Sequence, residues 1–123
     1  MTEKKITVEK SVKSTNNLLC KRCSCRLRDE KDSWEKELKA ALDEAFYFNK
    51  KVAISIYSYR QRLLDRDNSF LSIKALIDSM KKGRLGIIED DSPAYIEGPY
   101  YFQFVVKEKR RQRTEIVIKE IGA

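Results

Sequence analysis

The apolar residues of this chain switch period repeatedly, and that switching constrains the fold more than any single motif does. Residues 5–12 alternate Ile6 with Val8 in the two-residue repeat of a strand, followed by an irregular polar stretch through Ser14-Thr15-Asn16-Asn17. Trp34, Leu38, Ala41, Leu42 and Ala45 then recur at helical spacing. Asp32 reads as the cap of that helix, Glu35 completes a capping box, and Asn49 marks the end. Val52, Ile54 and Ile56 return to alternation and predict a strand running towards Asp65. Phe70, Ile73, Leu76, Ile77 and Met80 make the stripe of a second helix over residues 69–82, with Gly83 as its terminator. Ile87 and Ile88 lead to Pro93, which favours an extended segment or turn. Residues 100–106 and 114–121 are two β-like runs joined by a basic segment, which reads as a long hairpin. The order strand, helix, strand, helix, two strands predicts an α+β fold, a small mixed β-sheet with two main helices packed on it.

A chain of 123 residues with 41% apolar side chains holds one modest core, and four Gly and two Pro leave few places to divide it. Residues 1–123 are therefore expected to form a single domain. Charged residues reach 37%, yet one Trp, six Tyr and five Phe with regular Ile/Val spacing favour packing over disorder. Apolar runs stay well short of the roughly 18 residues that span a bilayer, and Met1 leads into polar residues. No membrane association and a cytoplasmic location are the expectation. Histidine is absent, which excludes Ser-His-Asp and Cys-His catalysis and any His-ligated zinc. Cys20, Cys23 and Cys25 fall short of the four ligands of a structural zinc site and read as reduced thiols.

The net charge of +7 is unevenly spread. Lys21, Arg22, Arg26 and Arg28 occur without an acid between positions 20 and 28, and Lys107, Lys109, Arg110, Arg111 and Arg113 face only Glu108. Clusters of this kind suit a phosphate backbone, where counterion release makes binding salt-dependent; they also serve simply to solubilise a loop.

Asp65 and Asp67 flank Arg66, and in an extended segment this spacing sends both carboxylates to one side of the backbone. Like charges so placed call for a cation, and oxygen donors without His or Cys favour Mg²⁺ or Mn²⁺. Asp90 and Asp91 offer further carboxylates beyond the second helix, which can return the chain to the same side of the sheet. Turn formation, capping and solvation explain such acids equally well. Asn68 suits a cap for the second helix. Lys74 lies one turn before Asp78, so it forms either an exposed i, i+4 pair or, if the helix borders the acids, a positive charge for the scissile phosphate.

The ordered pieces Asp65-Arg66-Asp67-Asn68, Lys74-Ala75-Leu76-Ile77-Asp78 and Asp90-Asp91-Ser92 resemble the RusA family of Holliday junction resolvases, over roughly the C-terminal three fifths of the chain. The resemblance implies a RusA-like fold and a small homodimeric, Mg²⁺-dependent endonuclease, with Mn²⁺ as a substitute ion. Such an enzyme makes paired incisions in branched, four-way DNA during recombination and repair. It implies Asp65, Asp67 and Asp91 as catalytic metal ligands and Lys74 as a catalytic or phosphate-contacting residue. Asn68 matches the motif as cap, support or both, while Asp78 and Asp90 are either structural or part of an outer metal shell. Asn16 and Asn17 resemble the polar segment after the family's first strand. The interval from Asn68 to Lys74 is longer than the family's, and Lys74 is matched through the Ala75-x-x-Asp78 pattern that follows. Leu64 stands where a basic residue occurs in the family, leaving Arg60, Arg62 or Arg66 to supply positive charge nearby. The segment Cys20-Lys21-Arg22-Cys23-Ser24-Cys25 has no counterpart.

Under this reading the carboxylates hold Mg²⁺ against the scissile phosphate, Lys74 adds a fixed charge, and the basic clusters supply affinity without reading bases. A C2 dimer suits two equivalent incisions, with Tyr101 and Phe102 assigned to the core or to that interface. Two other readings remain: a non-catalytic nucleic-acid-binding module with the same fold, and a domain that docks an acidic protein through residues 107–113.

Overall fold

A computed structural model describes residues 3–13, 25–42, 46–64 and 69–121. Among them the chain forms β1 (Glu3–Val8), α1 (Cys25–Ala41), β2 (Val52–Arg60), α2 (Phe70–Met80), β3 (Ile96–Val105) and β4 (Arg113–Glu120), with a short 3₁₀ turn at Lys109–Arg111. The mixed α+β architecture expected from the changing period is present. The sheet runs in the order β1-β4-β2-β3, antiparallel except for the parallel β2–β3 pair that α2 connects.

The two terminal runs do not make a hairpin. β2 lies between β3 and β4, so the basic link crosses the end of β2 instead of turning back on itself. Gln61 holds that crossing: its backbone N–H donates to the Gln112 side chain at 3.2 Å and its Nε2 donates to the Lys107 carbonyl at 3.0 Å. β4 gains from the central position because Ile116 pairs with Ile6 on one side and Ile56 on the other, burying its apolar face completely.

Strand alternation sorts the two faces of the sheet. Ile6, Val8, Val52, Ile54, Ile56, Ile116 and Ile118 point to the helices and join Trp34, Leu38, Leu76 and Met80 in one core. Helix α1 starts at Cys25, ahead of the expected cap at Asp32, and stops at Ala41, ahead of Asn49. Its buried face includes Glu30, one turn before Trp34, so the stripe begins with a carboxylate and is hidden from an apolar count. Asp32 and Glu35 serve elsewhere, as partners of Arg84 at 2.9 and 3.7 Å. β1 ends at Val8, short of residue 12, and β2 ends at Arg60, short of Asp65. Among the described residues no helix is long and apolar enough to cross a membrane.

Candidate active site

Helix α2 is amphipathic, and burial of Ile73, Leu76, Ile77 and Met80 leaves Lys74 on its exposed side. A cavity of about 600 Å³ opens where this helix passes β3. Its walls include Ile73, Ile77 and Ile96, while Lys74 and Asp91 supply the charged groups and Ser69 stands at the helix start. Gly98 permits the close approach of β3: its φ is +98°, and a Cβ there would sit 2.9 Å from the Ile54 carbonyl and 2.7 Å from the Tyr100 nitrogen. The β2–β3 register shifts at this point, between Ala53 and Ser55, and the Gly98–Pro99 peptide is cis. Tyr101 also lines the cavity; burial raises its phenol above the ordinary value, against weaker opposite effects from Ser58 and Arg60.

Asp91 looks both into the cavity and towards Lys81, whose ammonium lies 3.5 Å from Asp91, 3.6 Å from Asp78 and 3.9 Å from Asp90. Burial pulls the Lys81 pKa down, but attraction to Asp91, Asp78 and Asp90 outweighs it and the value is raised. One ammonium thus holds three carboxylates whose mutual repulsion would otherwise spread the loop away from the helix end. Asp78 has a second cation in Lys31 at 3.2 Å. The i, i+4 pairing of Lys74 with Asp78 does not form, because Lys31 from α1 and Lys81 from the next turn occupy the carboxylate; Lys74 has no ion-pair partner among the described residues.

Asp65, Arg66, Asp67 and Asn68 lie outside the described residues, as do Asn16, Asn17, Cys20, Lys21, Arg22 and Cys23. The residues flanking the Asp-Arg-Asp-Asn segment are described. Leu64 is clamped to β3 by the Gln103 side chain, its N–H donating to Oε1 at 2.8 Å and its carbonyl accepting from Nε2 at 2.7 Å. Among the described residues no three His, Cys, Asp or Glu side chains gather as a metal-holding group. Asp91 is a hard oxygen donor at the mouth of a cavity in a chain without histidine, so its chemistry fits a hard divalent ion.

The basic residues divide into committed and open ones. Arg60 donates from Nε to the Arg62 carbonyl at 2.9 Å and from Nη1 to the Val12 carbonyl, tying the end of β2 to the segment after β1. Arg113 stacks on Tyr59 and pairs with Glu115 at 2.9 Å. Arg62, Lys107, Lys109, Arg110 and Arg111 are exposed, with Glu108 drawing Arg110 and Arg111 to itself. Arg26 and Arg28 sit in the first turn of α1 with exposed side chains, and Arg28 lies 4.0 Å from Asp29.

Sequence reasoning missed Gln103 and Lys81. Gln103 was detectable as a polar side chain at the inward parity of β3, between Tyr101 and Val105. Lys81 was detectable by its three-residue spacing from Asp78. No protein-family model and no curated protein matches the chain.

Proposed function

We propose that the chain is a divalent-ion-dependent, structure-selective endodeoxyribonuclease that resolves four-way DNA junctions by phosphodiester hydrolysis, acting as a homodimer. The observation that carries this reading is the shared cavity of Lys74 and Asp91, with Ser69 at its edge. Asn68 alone separates Asp67 from Ser69 in the chain, a reach of at most about 7 Å, and one peptide bond joins Asp65 to the clamped Leu64. On this reading Asp65 and Asp67, which follow Leu64 and precede Ser69 in the chain, complete the donor set with Asp91.

Each residue has a distinct task. Asp65, Asp67 and Asp91 would hold Mg²⁺, which when bound supplies charge stabilisation to the phosphate oxygens and acidifies water. Lys74, unpaired within the described structure, offers its ammonium to a non-bridging phosphate oxygen. Lys81 fixes Asp91 at the cavity mouth and limits its repulsion with Asp90. The isoleucine walls put an apolar surface beside the reacting phosphate on one side of an open cavity, which strengthens the charge interactions made against them. Water attacks phosphorus in line with the leaving oxygen, the bond to that oxygen breaks, and the oxygen takes up a proton.

Incubation of the purified protein with synthetic four-way junctions and Mg²⁺ tests the reading. Paired incision is expected, abolished by Asp67→Asn and lowered by at least about a hundredfold in Lys74→Ala. Intact junctions with every divalent ion, or incision unchanged in Asp67→Asn, overturns it. A second reading, a non-catalytic nucleic-acid-binding module, draws support from the Lys81 ammonium already neutralising Asp91. Calorimetric titration separates the two, since the module binds DNA without binding Mg²⁺ or Mn²⁺.

A further inference from the structure

The face of the sheet turned away from the helices is aromatic. Two register rows cross it from β4 to β3, one through Arg113, Tyr59 and Phe104 and the next through Glu115, Tyr57 and Phe102. Tyr57 stacks on Phe102 with ring centres 5.3 Å apart, and Tyr59 on Phe104 at 5.2 Å. The Arg113 guanidinium covers Tyr59 at 3.9 Å. Tyr100, Phe102 and Phe104 nonetheless keep 45%, 45% and 44% of their surface exposed, an uncommon state for adjoining rings in a soluble domain.

Position and charge select the occupant. Tyr100 and Phe102 also line the cavity that holds Lys74 and Asp91, so the aromatic ladder begins where the candidate chemistry lies. Its other end meets Arg113 and the exposed Lys109–Arg111 turn. A second copy laid over this face would strip water from Arg113 with Glu115 as its compensating carboxylate. A nucleic-acid strand instead brings flat bases to the rings and phosphates to the cations.

We propose that this open face is a stacking platform for unpaired DNA bases, carrying a single strand from the cavity towards the Lys109–Arg111 turn. The proposal rests on the reading of the chain as a protein of branched DNA and adds that a single-stranded arm is part of what it recognises. It does not depend on hydrolysis.

The test uses the full chain without divalent ions and a short oligothymidylate carrying one 2-aminopurine, with the matched duplex as comparison. Binding is expected to quench the 2-aminopurine fluorescence. Tyr59→Leu and Phe104→Leu, both outside the cavity lining, keep an apolar side chain but remove the ring, and each is expected to weaken single-strand binding by at least about fivefold while duplex affinity and circular dichroism stay unchanged. Absence of quenching, or single-strand affinity unmoved in the double variant, overturns the platform. So does sedimentation showing a dimer that the leucine variants dissociate while single-strand affinity stays constant, since the face then belongs to a second copy. Failure of the platform with junction incision intact leaves the hydrolytic reading standing. Quenching by a chain whose Asp67→Asn variant still cuts sinks the hydrolytic assignment alone.

Discussion

Glu30 is 1% exposed in the middle of the core, and the side chains around it show how such a charge is tolerated. Lys10 Nζ donates to its Oε1 at 2.7 Å and Ser72 Oγ donates to its Oε2 at 2.6 Å. Ser72 in turn accepts from Trp34 Nε1 at 3.2 Å and from the Lys13 backbone N–H at 3.1 Å, so its single donor and both acceptor sites are used. The network joins the segment after β1 to both helices, and Lys10 also lies over the Trp34 ring at 4.9 Å. Glu30→Ala leaves the Lys10 charge without its buried partner and is expected to cost about 3–5 kcal/mol in urea denaturation. Replacing both, Glu30→Met with Lys10→Met, is expected to recover most of that loss, because neither charge is then stranded. Equal losses in the single and double variants would show that the pair contributes nothing through its charge. Glu30 was not legible in the sequence: a carboxylate one turn before Trp34 reads as the solvated side of a helix, and its partners come from residues 10, 13 and 72.

Elements were legible where a hydrophobic period defines them and illegible where adjacency decides. Alternation in β2 and the stripe of α2 appear as expected because each follows from burial of one face. The neighbour of a strand carries no such mark, and the hairpin expected between residues 100 and 121 fails because β2 outcompetes β3 for the edge of β4. The candidate site divides in the same way. A helix connecting parallel strands returns the chain to one side, and Lys74 and Asp91 line one cavity, whereas the expected gathering of Asp91 with Asp65 and Asp67 falls on residues outside the described ones. The clamp on Leu64 depends on the side chain of Gln103, thirty-nine residues away, and no local pattern announces it. That clamp anchors the residue next to Asp65. Gln103→Leu keeps a strand-compatible side chain and removes both hydrogen bonds, at a stability cost of about 1–2 kcal/mol. Junction incision is expected to fall by about tenfold with DNA affinity unchanged, measured by single-turnover cleavage beside anisotropy; an unaltered rate would mean that the anchor does not position the acids.

At the scale of the whole molecule the balance of charge governs both stability and binding. Glu115 sits beside Lys5 at 3.1 Å and Arg113 at 2.9 Å; burial raises its pKa, but the bonds and charges of Arg113 and Lys5 prevail and hold it below the ordinary carboxylate range. A lowered folded-state pKa contributes stability that is present above the unfolded value of 4.5 and lost as pH falls through the folded one. Glu115→Gln is therefore expected to be less stable than the wild type at neutral pH and to converge with it in acid, where both side chains are uncharged; parallel thermal melting curves against pH would contradict this. Protonation of the acids also raises the net charge from +7, so self-repulsion steepens the acid limb of both proteins alike and cancels in their difference.

If the chain binds DNA as proposed, the same excess charge would set the salt dependence of that binding, and the ion pairs of the crossing link grade the contribution expected from each of its basic residues. Lys107 and Lys109 are exposed and have no ion pair among the described residues, whereas Glu108 already partners Arg110 and Arg111. A cation whose carboxylate is covalently close releases fewer counterions when it meets a phosphate. Lys107→Gln and Lys109→Gln are each expected to lower the slope of log K against log salt by about one, and Arg110→Gln by distinctly less. Glu108→Gln should do the reverse, freeing both arginines and steepening the slope. Anisotropy titrations of a duplex across a salt series measure all four variants, and equal slopes throughout would place any phosphate contacts away from this link.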